Sequence, residues 1–391
     1  MKTLIVSDLH LGSGLGSDVL SRPGPRGALL EALEDVDRLV LLGDVLELRH
    51  RPPRHAMAAA RPFFEDLGRV MGSPPAREIV VSAGNHDHLL VESWLGERAL
   101  RAPEPFALEQ RLLPEQASPM LARLAAWAAP AEVSVAFPGL WVRPDVYAMH
   151  GHYLDAHLSV PTIERLSIAI MSRVLGRPAA SFGRVEDYEA VGAPVFAWRD
   201  AVAREARPGG AVDRVDTIRA WRALAGETGG RSRVQKLRGL ALAGAFPLAV
   251  AALNRAGLGP LGADISTDEL RRAGLRAIGE VADRLGLGDA HVIFGHTHRA
   301  GPLPGDSEPE WIGRGGARLM NCGCWTYDLV FLGRGAGETP YWPGACALVD
   351  DSDPLTPPIL KRLLSEHSHA DLAPVPAADL APAADPMPDP A

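Results

Sequence analysis

Five short stretches of this chain gather the residue types that bind divalent ions and move protons. They are Asp8-Leu9-His10, Gly43-Asp44, Gly84-Asn85-His86-Asp87, His150-Gly151-His152 and Gly295-His296-Thr297-His298. Carboxylate, amide and imidazole groups in one set suit Mn, Fe, Zn or a similar ion rather than a thiolate site. Glycine beside several of them lets the backbone turn tightly and approach an ion or a phosphate closely. Taken singly, each stretch is also an ordinary polar loop, because Asn, Asp and Gly are turn residues. What they share is position, since each directly follows an apolar run.

Those runs are the elements that must hold the polar groups in place. Lys2 to Ser7, Arg38 to Leu42, Glu78 to Ser82, Val146 to Met149 and Ala290 to Phe294 read as short buried strands. Strand ends are where open α/β sheets place their chemistry. Between them, Phe63, Phe64, Leu67 and Val70 recur at helical spacing and predict a helix over Ala56 to Met71. Shorter helical signals cover Ala28 to Leu33, and a longer one runs from Thr267 to Leu285. Alternation of strand and helix predicts an α/β sheet with right-handed crossovers. The region from Leu89 to Pro138 reads as mostly helical between prolines, with strands at Leu140 to Val142, Ala317 to Asn321 and Ala345 to Val349.

Composition narrows the function classes. The chain has 391 residues, with 40 Lys plus Arg against 48 Asp plus Glu, a net charge of −8. That balance argues against specific nucleic-acid binding, which rewards clustered positive charge. The first residues turn polar at Ser7-Asp8, too soon for a secretory signal, and predict a cytoplasmic protein. Three cysteines, Cys322, Cys324 and Cys346, are too few and too irregular for a disulfide framework. Buried packing is the expected role for each.

The ordered set of blocks resembles the calcineurin-like metallophosphoesterases, whose pattern is DxH, GD, GNH followed by an acid, H and GHxH. The resemblance runs from residue 8 to residue 298. It implies an α/β (α+β) four-layer αββα sandwich and a site for two divalent metal ions, Mn²⁺ above all, with Fe or Zn as alternatives. Carried over by position, Asp8, His10, Asp44 and His298 would hold one ion. Asp44, Asn85, His150 and His296 would hold the other, so that Asp44 bridges. The implied reaction is hydrolysis of a phosphoric ester or pyrophosphate bond by a hydroxide bridging the two ions. His86 would face the phosphoryl group or the leaving oxygen, and Asp87 would orient its imidazole. The opening blocks are similar to the branch that cleaves UDP-2,3-diacylglucosamine, but that branch has His-Gly-Asp where this chain has His150-Gly151-His152. Asn321-Cys322-Gly323-Cys324-Trp325 resembles the family's segment after the last ligand block and reads as structural support. A metal-free scaffold on the same fold is the alternative; such proteins lose ligands, whereas here every ligand position is filled.

Residues 155–255 read as a largely helical insertion, leaving 1–154 and 256–365 as a discontinuous core and 370–391 as a disordered Pro/Ala/Asp tail. Two helical faces are expected in the insertion, one of Ile163, Leu166, Ile170 and Val174, the other of Val215, Ile218, Trp221 and Leu224. The insertion carries 15 Lys plus Arg against 10 Asp plus Glu, so it is positive in a negative chain. Residues 239–254 hold no charge but are too short and too Pro-interrupted to span a bilayer. These features predict a lid beside an anionic site, a phosphorylated small-molecule or lipid substrate, and peripheral contact with the inner membrane face.

Overall fold

The computed structural model describes residues 1–14, 16–101, 105–205, 246–329, 331–332, 339–353 and 355–374. Among the described residues, nine strands form one continuous hydrogen-bonded path that folds into two facing sheets, and a tenth pairs off that path. The first sheet contains β1 (Lys2–Val6), β2 (Arg38–Leu42) and β3 (Glu78–Ser82), side by side and parallel. The second contains β6 (Val146–Met149), β7 (His291–Phe294) and β8 (Arg318–Asn321), again parallel neighbours. Their linkage is β5 (Glu132–Arg143), whose first half pairs parallel with β3 and whose second half pairs antiparallel with β6. The first sheet is completed by β4 (Glu109–Leu112) against β5 and by antiparallel β9 (Ala345–Asp350) and β10 (Ile359–Arg362) beyond β1.

Burial explains why the sheets stack. Ile5, Val40, Leu42, Val80, Leu140, Val142, Val146, Ala148, Ile293 and Cys322 form one buried cluster drawn from strands of both sheets. The alternate residues of the same strands, such as Leu4, Leu39, Leu41 and Val81, join the larger cluster under the helices. Strands covered on both faces read as continuous apolar runs, which is why β1 to β3 were legible. Helices Pro53–Met71 and Pro119–Ala128 pack on each other, with Phe63, Phe64, Leu67, Leu121 and Leu124 buried. The result is the expected mixed α/β sandwich of sheets and helices.

Several expectations need correction. The stretch from 89 to 138 holds the helices Leu89–Leu100, Pro114–Ala117 and Pro119–Ala128, as expected, but also β4 and the start of β5. Glu132-Val133-Ser134-Val135 alternates polar and apolar as a strand does, and its pairing with β3 extends the strand far upstream of Leu140. β10 also went unforeseen. In the helix Ile163–Val174 the buried residues are Arg165, Ile168, Ala169 and Ser172, whereas Ile163, Ile170 and Val174 of the expected face are exposed. Periodicity marks an apolar stripe, but the neighbouring helix Val185–Glu205 decides which stripe is covered. Val215, Ile218, Trp221 and Leu224 lie outside the described residues. So does 375–391, although a short helix at His369–Leu372 with buried Leu372 carries the packed chain past the boundary expected at 370. Among the described residues, 150–290 contribute no strand, and no helix is long and apolar enough to cross a membrane.

Candidate metal centre

The loops after β1, β2 and β3 meet the loops after β6 and β7, so the site is built from both sheets. Asp8, His10, Asp44, His296 and His298 all have φ between 46° and 63°, and they are the non-glycine residues with left-handed backbone among those described. That conformation costs an ordinary side chain about 1 kcal/mol or more and clusters where function demands it. Glycines make room for the loops. A Cβ on Gly84 would fall 2.3 Å from Asp44 Oδ1, and one on Gly43, at φ 81°, would fall 2.5 Å from the His150 ring.

Each carboxylate spends one oxygen on structure and turns the other inward. Asp8 Oδ2 accepts from the Ser7 hydroxyl at 2.7 Å and the His296 amide at 2.9 Å. Asp8 Oδ1 lies 3.2 Å from His298 Nε2 and 3.9 Å from His10 Nε2, yet is buried without an aligned hydrogen bond. Asp44 Oδ1 accepts from the His86 amide at 2.7 Å. Its Oδ2 stands 3.7 Å from His10 Nε2 and 3.4 Å from His150 Nε2, between the two histidine groups.

The imidazoles follow the same rule. His10 Nδ1 is 3.0 Å from Glu47 Oε2, His150 Nδ1 is 3.0 Å from the Leu42 carbonyl, and His298 Nδ1 is 3.2 Å from Thr326 Oγ1. Each leaves Nε2 facing inward. His296 is reversed: its Nε2 meets Asp155 Oδ2 at 3.1 Å, leaving Nδ1. One nitrogen engaged by an outer partner and the other turned toward the site is the arrangement of metal-bound histidine. Asn85 Oδ1 lies 3.2 Å from His150 Nε2, and Asn85 Nδ2 is buried without a partner. Ligand-type atoms of Asp8, His10 and His298 group within 4.8 Å of one another, and so do those of Asp44, His150 and His296. A third group joins His10, Asp44 and His86.

A cation set fits these atoms. His10 Nε2 and His298 Nε2 stand 3.3 Å apart, a repulsive approach unless a proton or an ion lies between their lone pairs. Burial works against charge on Asp8 and Asp44, but His298 and His150 around the first, and His150 and His86 around the second, hold both carboxylates well below their usual range. Burial likewise opposes charge on His150, yet Asp44 and Asp8 raise it to about 9. A metal ion supplies the same positive charge and displaces such protons.

The remaining site residues differ from expectation. His86 does face the cavity, but its imidazole is held by Glu47, with Nδ1 3.0 and 3.1 Å from the two carboxylate oxygens. Burial drives His86 down to about 3 despite Glu47 and Asp44. The role expected of Asp87, orienting His86, is therefore corrected. Asp87 accepts from the backbone amides of Asp44, Val45, Leu46 and Gly84, at 2.7 to 3.2 Å. It pins the second loop to the third. Its position immediately after the loop puts its carboxylate back under the backbone, where burial and Asp44 raise it to about 6. His152 is buried against His150 and Phe196 with neither ring nitrogen hydrogen-bonded. Burial and His150 keep it neutral.

Glu47 and Asp155 had no place among the expected site residues. An acid inside the apolar run Val45-Leu46-Glu47-Leu48 is the signal that could have found the first. Asp155 follows on the turn His152–Ala156 and carries no comparable signal. Asn321 behaves as the expected support: its amide donates to the Gly295 carbonyl and Thr297 Oγ1, bracing the last loop. Cys322, Cys324 and Cys346 are buried thiols that form no disulfide.

Residues 1–174 match the calcineurin-like phosphoesterase family. The match takes in Asp8, His10, Asp44, Asn85 and His150, while His296 and His298 lie beyond it. No curated protein matches the chain. Among solved structures, a cold-active protein-tyrosine phosphatase of the psychrophile Shewanella sp. aligns at 11% identity over 90% of this chain and 75% of its own, with a TM-score of 0.27.

Proposed function

We propose that the chain is a metal-dependent phosphoesterase with a binuclear centre, Asp8, His10, Asp44 and His298 holding one ion and Asp44, Asn85, His150 and His296 the other. The observation that carries this reading is the inward-facing Asp44 Oδ2, placed between His10 Nε2 and His150 Nε2. A carboxylate oxygen shared by two ligand groups is what a two-ion site needs at its middle. When bound, divalent cations, Mn²⁺ foremost, lower the pKa of water and offset charge on phosphate oxygens.

The chain's own residues do the rest. With Nδ1 committed to Glu47, His86 offers Nε2 to the phosphoryl or leaving oxygen. Asp87 keeps the second and third loops in register, and Asp155 and Thr326 fix the rings of His296 and His298. Above the ligands opens a cavity of about 560 Å³. Its walls combine Leu158, Trp198, Leu275 and Trp311 with arginines, which suits a phosphate joined to a bulky apolar group. Ile163, Trp198 and Val202 of the two insertion helices are exposed beside it, supporting a lid over residues 155–255 that meets a lipid-bearing substrate or a membrane face. A cytoplasmic or peripheral location accords with this reading.

Metal analysis of the purified chain, with Mn²⁺-stimulated turnover of aryl phosphate mono- and diesters, is the test. Wild type should hold close to two ions and turn over, and Asp44→Asn should lose both properties. Equal inactivity and equal lack of metal in the two proteins would make the chain a scaffold on this fold. Liposome co-sedimentation with and without residues 155–255 tests the lid, and equal partitioning would remove it.

A further inference from the structure

Five residues after Asp44, on the same loop, Arg49 places a cation beside the candidate ligands, ion-paired with Asp200 at 3.7 Å but given no hydrogen-bond acceptor. Its side chain is 5% exposed, and Nε, Nη1 and Nη2 are all buried without a hydrogen-bond partner. Burying an ion in this way costs several kcal/mol unless something accepts from it. The other arginines on the cavity wall are already bonded to carboxylates. Arg199 meets Glu164 at 3.1 Å, Arg299 meets Asp306 at 2.6 Å, and Arg271 pairs with Glu310.

The Arg49 side chain is held from behind rather than used up. Its Cζ lies 5.3 Å from the Phe196 ring centroid, and its Nε is 3.7 Å from Asp200 Oδ1, beyond hydrogen-bond reach. Both residues belong to the insertion helix Val185–Glu205. Its own amide donates to Glu47 Oε1 at 3.0 Å, tying it to the carboxylate that orients His86. Asp200 and the ring therefore back the guanidinium while its N–H groups carry no hydrogen bond, and the residue lines the cavity together with Asp44, Asn85 and His86.

We infer that Arg49 forms an oxyanion subsite, binding the non-bridging oxygens of the substrate's phosphoryl group through its guanidinium fork. This rests on the phosphoesterase reading and deepens it: the insertion helix takes part in substrate binding by holding a residue of the core loop. A tetrahedral oxyanion matches the fork better than a single carbonyl does, since two parallel N–H groups reach two oxygens.

Inorganic phosphate, titrated calorimetrically into the full-length protein with and without Mn²⁺, is the probe, alongside turnover of an aryl phosphate. Arg49→Met should weaken phosphate binding about tenfold to a hundredfold while metal content stays at the wild-type level. Arg49→Lys should recover only part of the loss, because an ammonium lacks the fork. Asp200→Asn, which frees the guanidinium plane, should show a smaller loss in the same direction. Unchanged phosphate affinity in Arg49→Met would reduce Arg49 to a structural staple. Should that variant fail to fold, phosphate affinity in Arg49→Lys within twofold of wild type would overturn the inference equally. Phosphate binding that depends on Arg49 in a protein without turnover would instead keep the subsite and reject the phosphoesterase reading.

Discussion

His86 and Glu47 form a two-point contact, with Nδ1 of the ring 3.0 and 3.1 Å from the two oxygens of a fully buried carboxylate. The same carboxylate reaches His10 at 3.0 Å. Burial opposes its charge, but His86, His50 and His10 hold it well below the usual range. Glu47→Gln keeps the volume and removes the charge. Turnover should fall about tenfold to a hundredfold, the usual cost of losing an outer partner of a ligand. Kinetics with parallel metal analysis check it. Wild-type turnover in Glu47→Gln would show that the contact is dispensable.

Asp87 serves the backbone, so its removal should be felt first as lost stability. Four amides lose their acceptor in Asp87→Ala, and the cost should be about 3 kcal/mol, the range for buried groups left unpaired. Urea unfolding measures it. A variant of unchanged stability but low activity would restore the ring-orienting role.

Gly84→Ala would push a methyl group against Asp44 Oδ1 and the Asp44 amide, 2.3 and 2.6 Å from the new Cβ. Backbone cannot yield as a flexible side chain does, so the Asp44 carboxylate must move. Metal content should drop below half of wild type while the far-ultraviolet circular dichroism spectrum is retained. Full metal occupancy in Gly84→Ala would show that the loop accommodates the methyl.

Chelation should lower the melting temperature, and restoring Mn²⁺ should raise it in a concentration-dependent way. Ions that bind the folded chain alone add about 2.7 kcal/mol per site at a hundredfold excess over Kd. Scanning calorimetry across a metal series measures this. A melting temperature indifferent to both treatments would count against an ion site.

His157 gives a pH dependence away from the ligands. Burial, with Arg284 nearby, lowers it to about 4, and its Nε2 lies 2.8 Å from the Tyr188 hydroxyl. The unfolded chain takes up this proton near pH 6.5 and the folded chain only near 4. The stability this ring contributes is thus present above pH 6.5 and is lost as pH falls toward 4. His157→Gln should lose less melting temperature between pH 7 and 5 than wild type. Parallel losses would assign the acid sensitivity elsewhere.

The gathering of the candidate ligands was legible in the sequence because buried strands are legible. Asp8, Asp44 and Asn85 each follow an apolar run that has only one way to sit in a covered sheet. Glu47, Asp155 and Arg49 were not, because nothing in local spacing says where a loop side chain turns once the backbone has bent. Asp87 shows the same limit, since adjacency to His86 suggested a partner that the left-handed loop at Asp44 claimed instead. Strand β5 was truncated in the sequence reading because its pairing partner, β3, lies 54 residues upstream in the register Glu78 to Glu132. The exposed face of Ile163–Val174 failed for a related reason: coverage is a property of neighbours.

β5 also makes the two sheets mechanically inseparable. Asp8, Asp44 and Asn85 ride on one sheet and His150, His296 and His298 on the other, and a single unbroken strand passes between them. Each proposed ion site thus straddles a seam, and any lesion that pries the layers apart would divide its candidate ligands before it unfolds either layer. Metal bound at the proposed site would then be a gauge of sheet docking, registering a distant cavity in the interlayer at Val40 or Ile293 before circular dichroism does.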